Sequence, residues 1–440
     1  MSSEAGKVVI RGGRLVDTRA GRVLEGWGVV LDAASGRIEA AGPLAALRYP
    51  EGAQVLEAGE ATLLPGLIDA HVHLTATAEA GPAALLAEMR RSVPQLTLLA
   101  AENARKTVEA GFTTVRDAGD AAGVVVHAIR DAVEEGRLPG PRIRSSGYPL
   151  SITGGHGDIA NGWPEDVLFL RRRVADGVDE VRRAAREELR RGADQLKLMA
   201  SGGVMSEGDS PRARGFTEEE MRAAVEEAHN VGKPVMAHAQ ATGGIRNALR
   251  AGVDSVEHGF FFDDECVELL QARGAWLVPT LVAVRRILEH GERGGIPAAN
   301  VAKARLGAEA HLESFRRVRE AGGRIALGTD AGTPFNPNGA NAAELGLMVE
   351  AGMTPMEALV AATRSGAELL GVEAGILEPG RWADVLVVRG DPLADIRLLE
   401  DRSNILAVFK AGRPVFLRDV ELRPAGAPGG GPQVAAGRGA

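Results

Sequence analysis

LLPGLIDAHVH, residues 63–73, is the stretch on which the rest of the chain turns. Side chains alternate along a strand, so His71 and His73 share one face and their imidazoles point the same way, as in a chelate. Apolar Leu67 and Ile68 lead into the pair, and Leu64-Pro65-Gly66 reads as a turn that delivers the chain into this strand. With nine histidines in 440 residues, one His-x-His pair gains meaning only from what converges on it.

Working outward, short β-like runs alternate with helical segments as far as about residue 370, the pattern of a parallel sheet with helices outside it. After LIDAHVH come FTTVRD ending at Asp117, RIRSSG from Arg142, DQLKLM from Asp194, PVMAHA ending at Ala239, DSVEHG ending at Gly259, AWLVPT ending at Thr280 and RIALGTD ending at Asp330. Thr217 and Glu220 form a capping box before a helix that buries Met221, Ala224, Val225 and Ala228 and stops at Gly232. Another helix runs from Glu180 through Leu189 to Gly192. Eight strand-helix repeats predict an α/β chain built on a (β/α)8 TIM barrel, whose catalytic groups sit at the C-terminal strand ends.

The flanks have a different texture: short β runs with glycine turns from Val8 to Leu63, and β runs again in ADVLVV and NILAVFKAGRPVF. These predict a small β-sandwich built from both chain ends, residues 1–63 and 377–423, around a barrel of residues 64–376. Two independent end caps are the alternative, but neither piece would bury much surface alone. Residues 424–440, rich in Gly, Pro and Ala, are expected to be a disordered tail.

Composition narrows the function classes. A hydrophobic fraction of 45% and a charged fraction of 25% are those of a globular protein, and the net charge of -8 gives no reason to expect a nucleic-acid partner. No apolar stretch is long enough to span a bilayer, so no membrane partner is expected. The single cysteine, Cys266, excludes an intrachain disulfide, and with the polar start MSSEAGKVVI it predicts a cytoplasmic location. A homo-oligomer is expected.

Six residues fall at or near the ends of the proposed strands: His71, His73, Lys197, His238, His258 and Asp330. Singly, each could be a core histidine satisfied by hydrogen bonds or a capping aspartate. Together, at corresponding strand ends, they should face one mouth. Lys197 lies between Leu196 and Leu198, which should face the helices and leave the lysine pointing inward. A buried ammonium is costly unless paired. Either it meets a carboxylate, or CO2 adds to its neutral amine to give a carbamate whose two oxygens can bridge two cations.

This set of HVH, strand-four lysine, two later histidines and the GTDAG aspartate resembles the amidohydrolase superfamily, specifically its binuclear metal hydrolases with a carboxylated lysine. The likeness extends from LLPGLIDAHVH to PGRWADVLVV. TGGHGD, DQLKLMASGGVMS, SVEHG and VPTL are most similar to the prolidase-like branch, which hydrolyses Xaa-Pro and other C-terminal dipeptide bonds, with N-acyl amino acid and ochratoxin-type amide hydrolases as relatives. The resemblance implies that His71, His73 and Asp330 hold the more buried of two divalent ions, His238 and His258 the more exposed one, and carboxylated Lys197 both. Ligands of this kind suit zinc, with manganese or cobalt as alternatives. It implies hydrolysis of a small-molecule amide or peptide by a metal-bridging hydroxide, with Asp330 as proton shuttle.

The same resemblance puts His156, on the glycine-rich loop TGGHG, against the substrate carbonyl or carboxylate. Arg212 and Arg214 are either clamps for a substrate carboxylate or solvated loop residues. Many dipeptidase-like relatives carry a tyrosine where this chain has Gln240, which favours a neutral substrate such as an arylamide, urea, carbamate or cyclic amide. A mononuclear deaminase is disfavoured because HAQATGG lacks a glutamate after His238. A phosphotriesterase or lactonase is disfavoured by the small sandwich, and a non-catalytic scaffold by the complete ligand set.

Overall fold

A computed structural model describes residues 6–120, 122–161 and 173–426. The chain divides into two compact units, Met1–Leu67 with Glu373–Ala440, and Ile68–Val372.

The first unit holds a five-stranded and a six-stranded sheet. The pattern of buried β-branched and leucine residues explains their pairing: Val8, Ile10, Val29, Leu31 and Leu56 from one sheet share a core with Leu15, Leu63, Val385, Val387, Ala407 and Phe409 from the other. Both chain ends contribute, since Thr62–Pro65 pairs antiparallel with Val385–Val388. Thr62–Pro65 is therefore a strand and not the turn expected around Pro65, and the break falls at Gly66. The expected tail starts later than residue 424: Arg423–Pro424 pairs with Gln54–Val55, and Ala425 N donates to Ala53 O. Residues 427–440, where the rest of that expectation falls, lie outside the described residues.

The second unit is α/β. Its strands are Leu67–Val72, Phe112–Asp117, Arg142–Ser145, Leu196–Met199, Val235–Ala239, Ser255–His258, Trp276–Val278 and Arg324–Ile325. They form a three-stranded and a five-stranded sheet, and the neighbours whose register is resolved pair parallel. Further backbone hydrogen bonds run from Leu150 N to Lys197 O and from Met199 N to Leu150 O, and from Ala70 N to Leu327 O and Asp330 N to His71 O. The last strand is shorter than RIALGTD suggests: Ala326 N still donates to Leu277 O, but Leu327 N turns to Ala361 O, a carbonyl at the start of the π-helical turn Ala361–Ser365.

Helices follow the strands. Glu218–Asn230 starts at Thr217, whose hydroxyl accepts from Glu220 N at 3.3 Å while the Glu220 carboxylate accepts from Thr217 N at 2.8 Å, and Gly232 lies just past its end with φ 68°. Val178–Arg190 ends before Gly192, φ 98°. Leu281–His290 has its first amides, Leu281 N and Val282 N, satisfied at 2.8 and 2.7 Å by the buried Glu344 carboxylate. Among the described residues no helix is long and apolar enough to cross a membrane.

Candidate metal centre

The strand Leu67–Val72 is buried throughout, with His71 inside and His73 at its end. Lys197 sits between buried Leu196 and Leu198 and is itself only 2% exposed. His238 and His258 lie on neighbouring strands, their rings 4.7 Å apart, and His258 is 5.0 Å from His71. Asp330 Oδ1 is 3.1 Å from His73 Nε2 and 3.4 Å from His71 Nε2, and Lys197 Nζ is 3.4 Å from the same His71 nitrogen. The six residues are thus brought together. His71, His73 and Asp330 converge to the spacing of a ligand triad.

Alternation alone would not point both Glu257 and His258 inward. It happens because His258 is left-handed, φ 70°, as are Thr280 (φ 54°) and Asp330 (φ 58°) at the following two strand ends. Non-glycine residues in that region carry backbone strain that the surrounding structure must hold, and such strain clusters at functional sites.

Each of the four histidines has a partner outside the cluster on one ring nitrogen. His71 Nδ1 is 2.7 Å from Glu257 Oε2, His73 Nδ1 is 3.1 Å from Gly119 O, His238 Nε2 is 3.1 Å from Gly202 O, and His258 Nδ1 is 2.7 Å from Thr280 Oγ1. A ring nitrogen that donates outward fixes the tautomer and leaves a lone pair on the other, the arrangement of ligating histidines. Burial lowers the pKa of His71, His238 and His258, favouring the neutral, ligating form. Burial also lowers Lys197 to about 8. It would raise Asp330, but the His73 hydrogen bond and the neighbouring His71 and Lys197 hold that carboxyl down to about 2. No carboxylate among the described residues reaches ion-pair distance of Lys197 Nζ, so the buried lysine is not explained by a direct salt bridge. This donor set, five oxygen- or nitrogen-bearing groups without thiolate plus a buried amine, fits divalent ions.

Three buried residues went unread in the sequence. Glu257, fully buried, also accepts from Arg116 Nη2 at 2.9 Å, and Arg116 Nε donates to Ala70 O at 2.7 Å. Asp69 accepts from His71 N at 3.0 Å, Thr329 Oγ1 at 2.6 Å and Asn341 Nδ2 at 2.7 Å, locking the first strand to the Asp330 segment. Burial pushes Asp69 up to about 6 despite these donors.

The substrate-side residues are distributed differently. His156 stacks on His238 with ring centroids 4.1 Å apart. Gln240 is buried, and its Oε1 has no hydrogen-bond partner among the described residues. Arg212 and Arg214 are exposed; Arg212 lies over the Phe261 ring at 4.1 Å, and the Arg214 side chain packs beside Gly243. Among the described residues, no hydrogen bond or ion pair joins either of them to the six-residue cluster.

Residues 62–415 match the family described as "Amidohydrolase family". The chain is 36% identical over 380 residues to ochratoxinase of Aspergillus niger, covering 80% of this chain and 75% of that enzyme. It superposes on a Xaa-Pro dipeptidase with bound methionine in the active site (TM-score 0.82, 34% identity, 93% of this chain and 99% of that one). A prolidase complexed with N-methylphosphonate-L-proline gives TM-score 0.85 at 34% identity, covering 94% of this chain and 100% of that one. With a match of this extent, and relatives that share its architecture nearly end to end, the chain belongs to the amidohydrolase family and lies on its prolidase-like branch.

Proposed function

We propose that this protein hydrolyses the C–N bond of a dipeptide, an Xaa-Pro peptide or an N-acyl amino acid, ochratoxin-type amides included, in a binuclear site at the mouth of a closed (β/α)8 barrel. One observation carries the reading: three buried histidines and half-buried His73 each have an outward partner on one nitrogen and converge beside Asp330 and Lys197. His71, His73 and Asp330 would hold one ion, His238 and His258 the other, and Lys197, as a CO2-derived carbamate, both. Zinc suits these donors best, with manganese or cobalt as alternatives. When bound, the ions supply Lewis acidity that acidifies water and polarises the scissile carbonyl.

The remaining steps belong to the chain's own groups. Asp330, kept ionised at neutral pH, accepts a proton from the attacking water and delivers it to the departing amine. His156, stacked on His238, would contact the substrate carbonyl or carboxylate. A substrate carboxylate would meet Arg212 or Arg214. The unpartnered Oε1 of Gln240 supports a second reading, a neutral arylamide, urea, carbamate or cyclic amide whose N–H it would accept. A homo-oligomer is part of the same proposal.

The test is metal analysis after preparation with zinc and bicarbonate, followed by a screen of Xaa-Pro dipeptides, N-acyl amino acids, arylamides and ureas. Two ions per chain and turnover of the first two classes are expected. Turnover confined to arylamides or ureas selects the second reading, and protein that takes up no metal overturns both.

A further inference from the structure

The segment after the strand Leu196–Met199 touches two site histidines at once. Gly202 O faces His238 Nε2 at 3.1 Å, and Ser206 Oγ faces His156 Nδ1 at 2.7 Å. Gly203 packs so closely against the His156 ring that a methyl group there would collide with it. His156 therefore lies in a slot formed by His238, Gly203 and Ser206, with the Asp209 carboxylate 3.7 Å from its Nδ1.

At its base the loop is closed by backbone bonds such as Gly202 N to Ala213 O at 3.0 Å, and its middle is fastened from outside. The fastening comes from a helix about a hundred residues further on, Ala298–Glu320. Lys303 Nζ donates to Gly203 O at 3.2 Å, Ser206 O at 2.8 Å and Asp209 Oδ1 at 2.8 Å, which uses all three of its donors. One turn earlier, buried Asn300 donates to Val204 O at 2.7 Å. Asp209, only 5% exposed, closes the loop on itself by accepting from Gly203 N at 3.0 Å. The charge-assisted bonds of Lys303 are of the stronger kind.

We propose that Lys303 is a positioning residue for the metal that His238 and His258 would hold: through loop 202–209 it sets the orientation of His238 and of His156, although it touches neither. This rests on the binuclear reading above. Removing an outer partner of a ligating histidine weakens metal binding about 10- to 100-fold. Because His71, His73 and Asp330 are oriented by Glu257, Gly119 and their own strands, the loss should fall on one ion only.

The experiment is a stepwise zinc titration against a chromogenic chelator, on full-length wild type, Lys303→Met, Asp209→Asn and Lys303→Arg, with melting temperature measured alongside. Lys303→Met and Asp209→Asn are expected to bind the first ion as wild type does and the second about 10-fold or more weakly, with Lys303→Arg recovering part of the loss. Unchanged affinity for both ions in Lys303→Met overturns the proposal, as does equal weakening of both, which would mark a general loss of stability. If Lys303→Met does not fold, Asp209→Asn decides in the same way. Wild type that binds no second ion overturns the binuclear reading itself, an outcome visible before any variant is compared.

Discussion

Glu257 and His71 share a 2.7 Å hydrogen bond in a fully buried place, and Arg116 completes the set by pairing with the other carboxylate oxygen at 2.9 Å. The histidine is oriented by a charge that is itself neutralised. That chain of dependence makes Glu257 more consequential than its distance from any reacting atom suggests.

Glu257→Gln should keep the fold and lower the affinity of the His71 site for metal by about 10- to 100-fold. Glu257→Ala should also destabilise the protein by about 3–5 kcal/mol, because Arg116 is left as a buried, uncompensated charge. Chelator competition measures the first effect and urea denaturation the second. A Glu257→Gln variant with wild-type affinity would show that the hydrogen bond is incidental.

Lys197→Ala should lose activity and recover part of it when a short-chain carboxylic acid is supplied with metal, since such an acid can place two oxygens where the carbamate would lie. Steady-state rates with and without the acid test this. Full activity in the untreated variant would leave Lys197 a purely structural lysine.

Asp330→Asn should retain at least one ion yet lose turnover by about 10²–10⁴-fold, the usual worth of a positioned proton acceptor. Metal content and kcat are measured on the same preparation. Near-normal kcat would assign the proton transfer to another group.

His311 gives a pH dependence with a definite sign. It is buried, its Nε2 lies 2.7 Å from Pro279 O, and burial lowers its pKa from 6.5 to about 4. A histidine that resists protonation in the folded state contributes stability above pH 6.5, and this is lost as pH falls from there towards 4, because the unfolded chain takes up the proton first. The loss amounts to about 3 kcal/mol. Metal-free wild type should therefore show a steeper fall in unfolding free energy between these pH values than metal-free His311→Gln, as read by urea denaturation. Parallel curves would contradict it.

Much of the site was legible because strand ends advertise themselves. His71-x-His73 reports a shared face, and a lysine between two leucines that turn outward, as Leu196 and Leu198 do, must turn in. What stayed hidden depends on backbone geometry or on distance in sequence. Glu257 was overshadowed by His258, because alternation allows only one of two neighbours to face inward and nothing in SVEHG announces the left-handed residue that admits both. Lys303 lies in a helix whose charged positions look like an ordinary solvated face, and its partners are nearly a hundred residues away. The eighth strand was located correctly but drawn too long, since RIALGTD has the composition of a strand while regular pairing stops at Ile325 and only scattered backbone bonds to the neighbouring strands continue beyond it.

The bonds from Asp69 to Thr329 and Asn341 span 260 and 272 residues. During synthesis, His71 and His73 thus emerge from the ribosome long before the segment that must dock beside them. Loop closure over such a span is costly in entropy and has to precede the contacts that reward it. The nascent chain is therefore unable to assemble the triad of His71, His73 and Asp330 until most of it has been translated. Any ion held by these three residues, as proposed above, would therefore be bound late, once the rest of the fold is there to receive it.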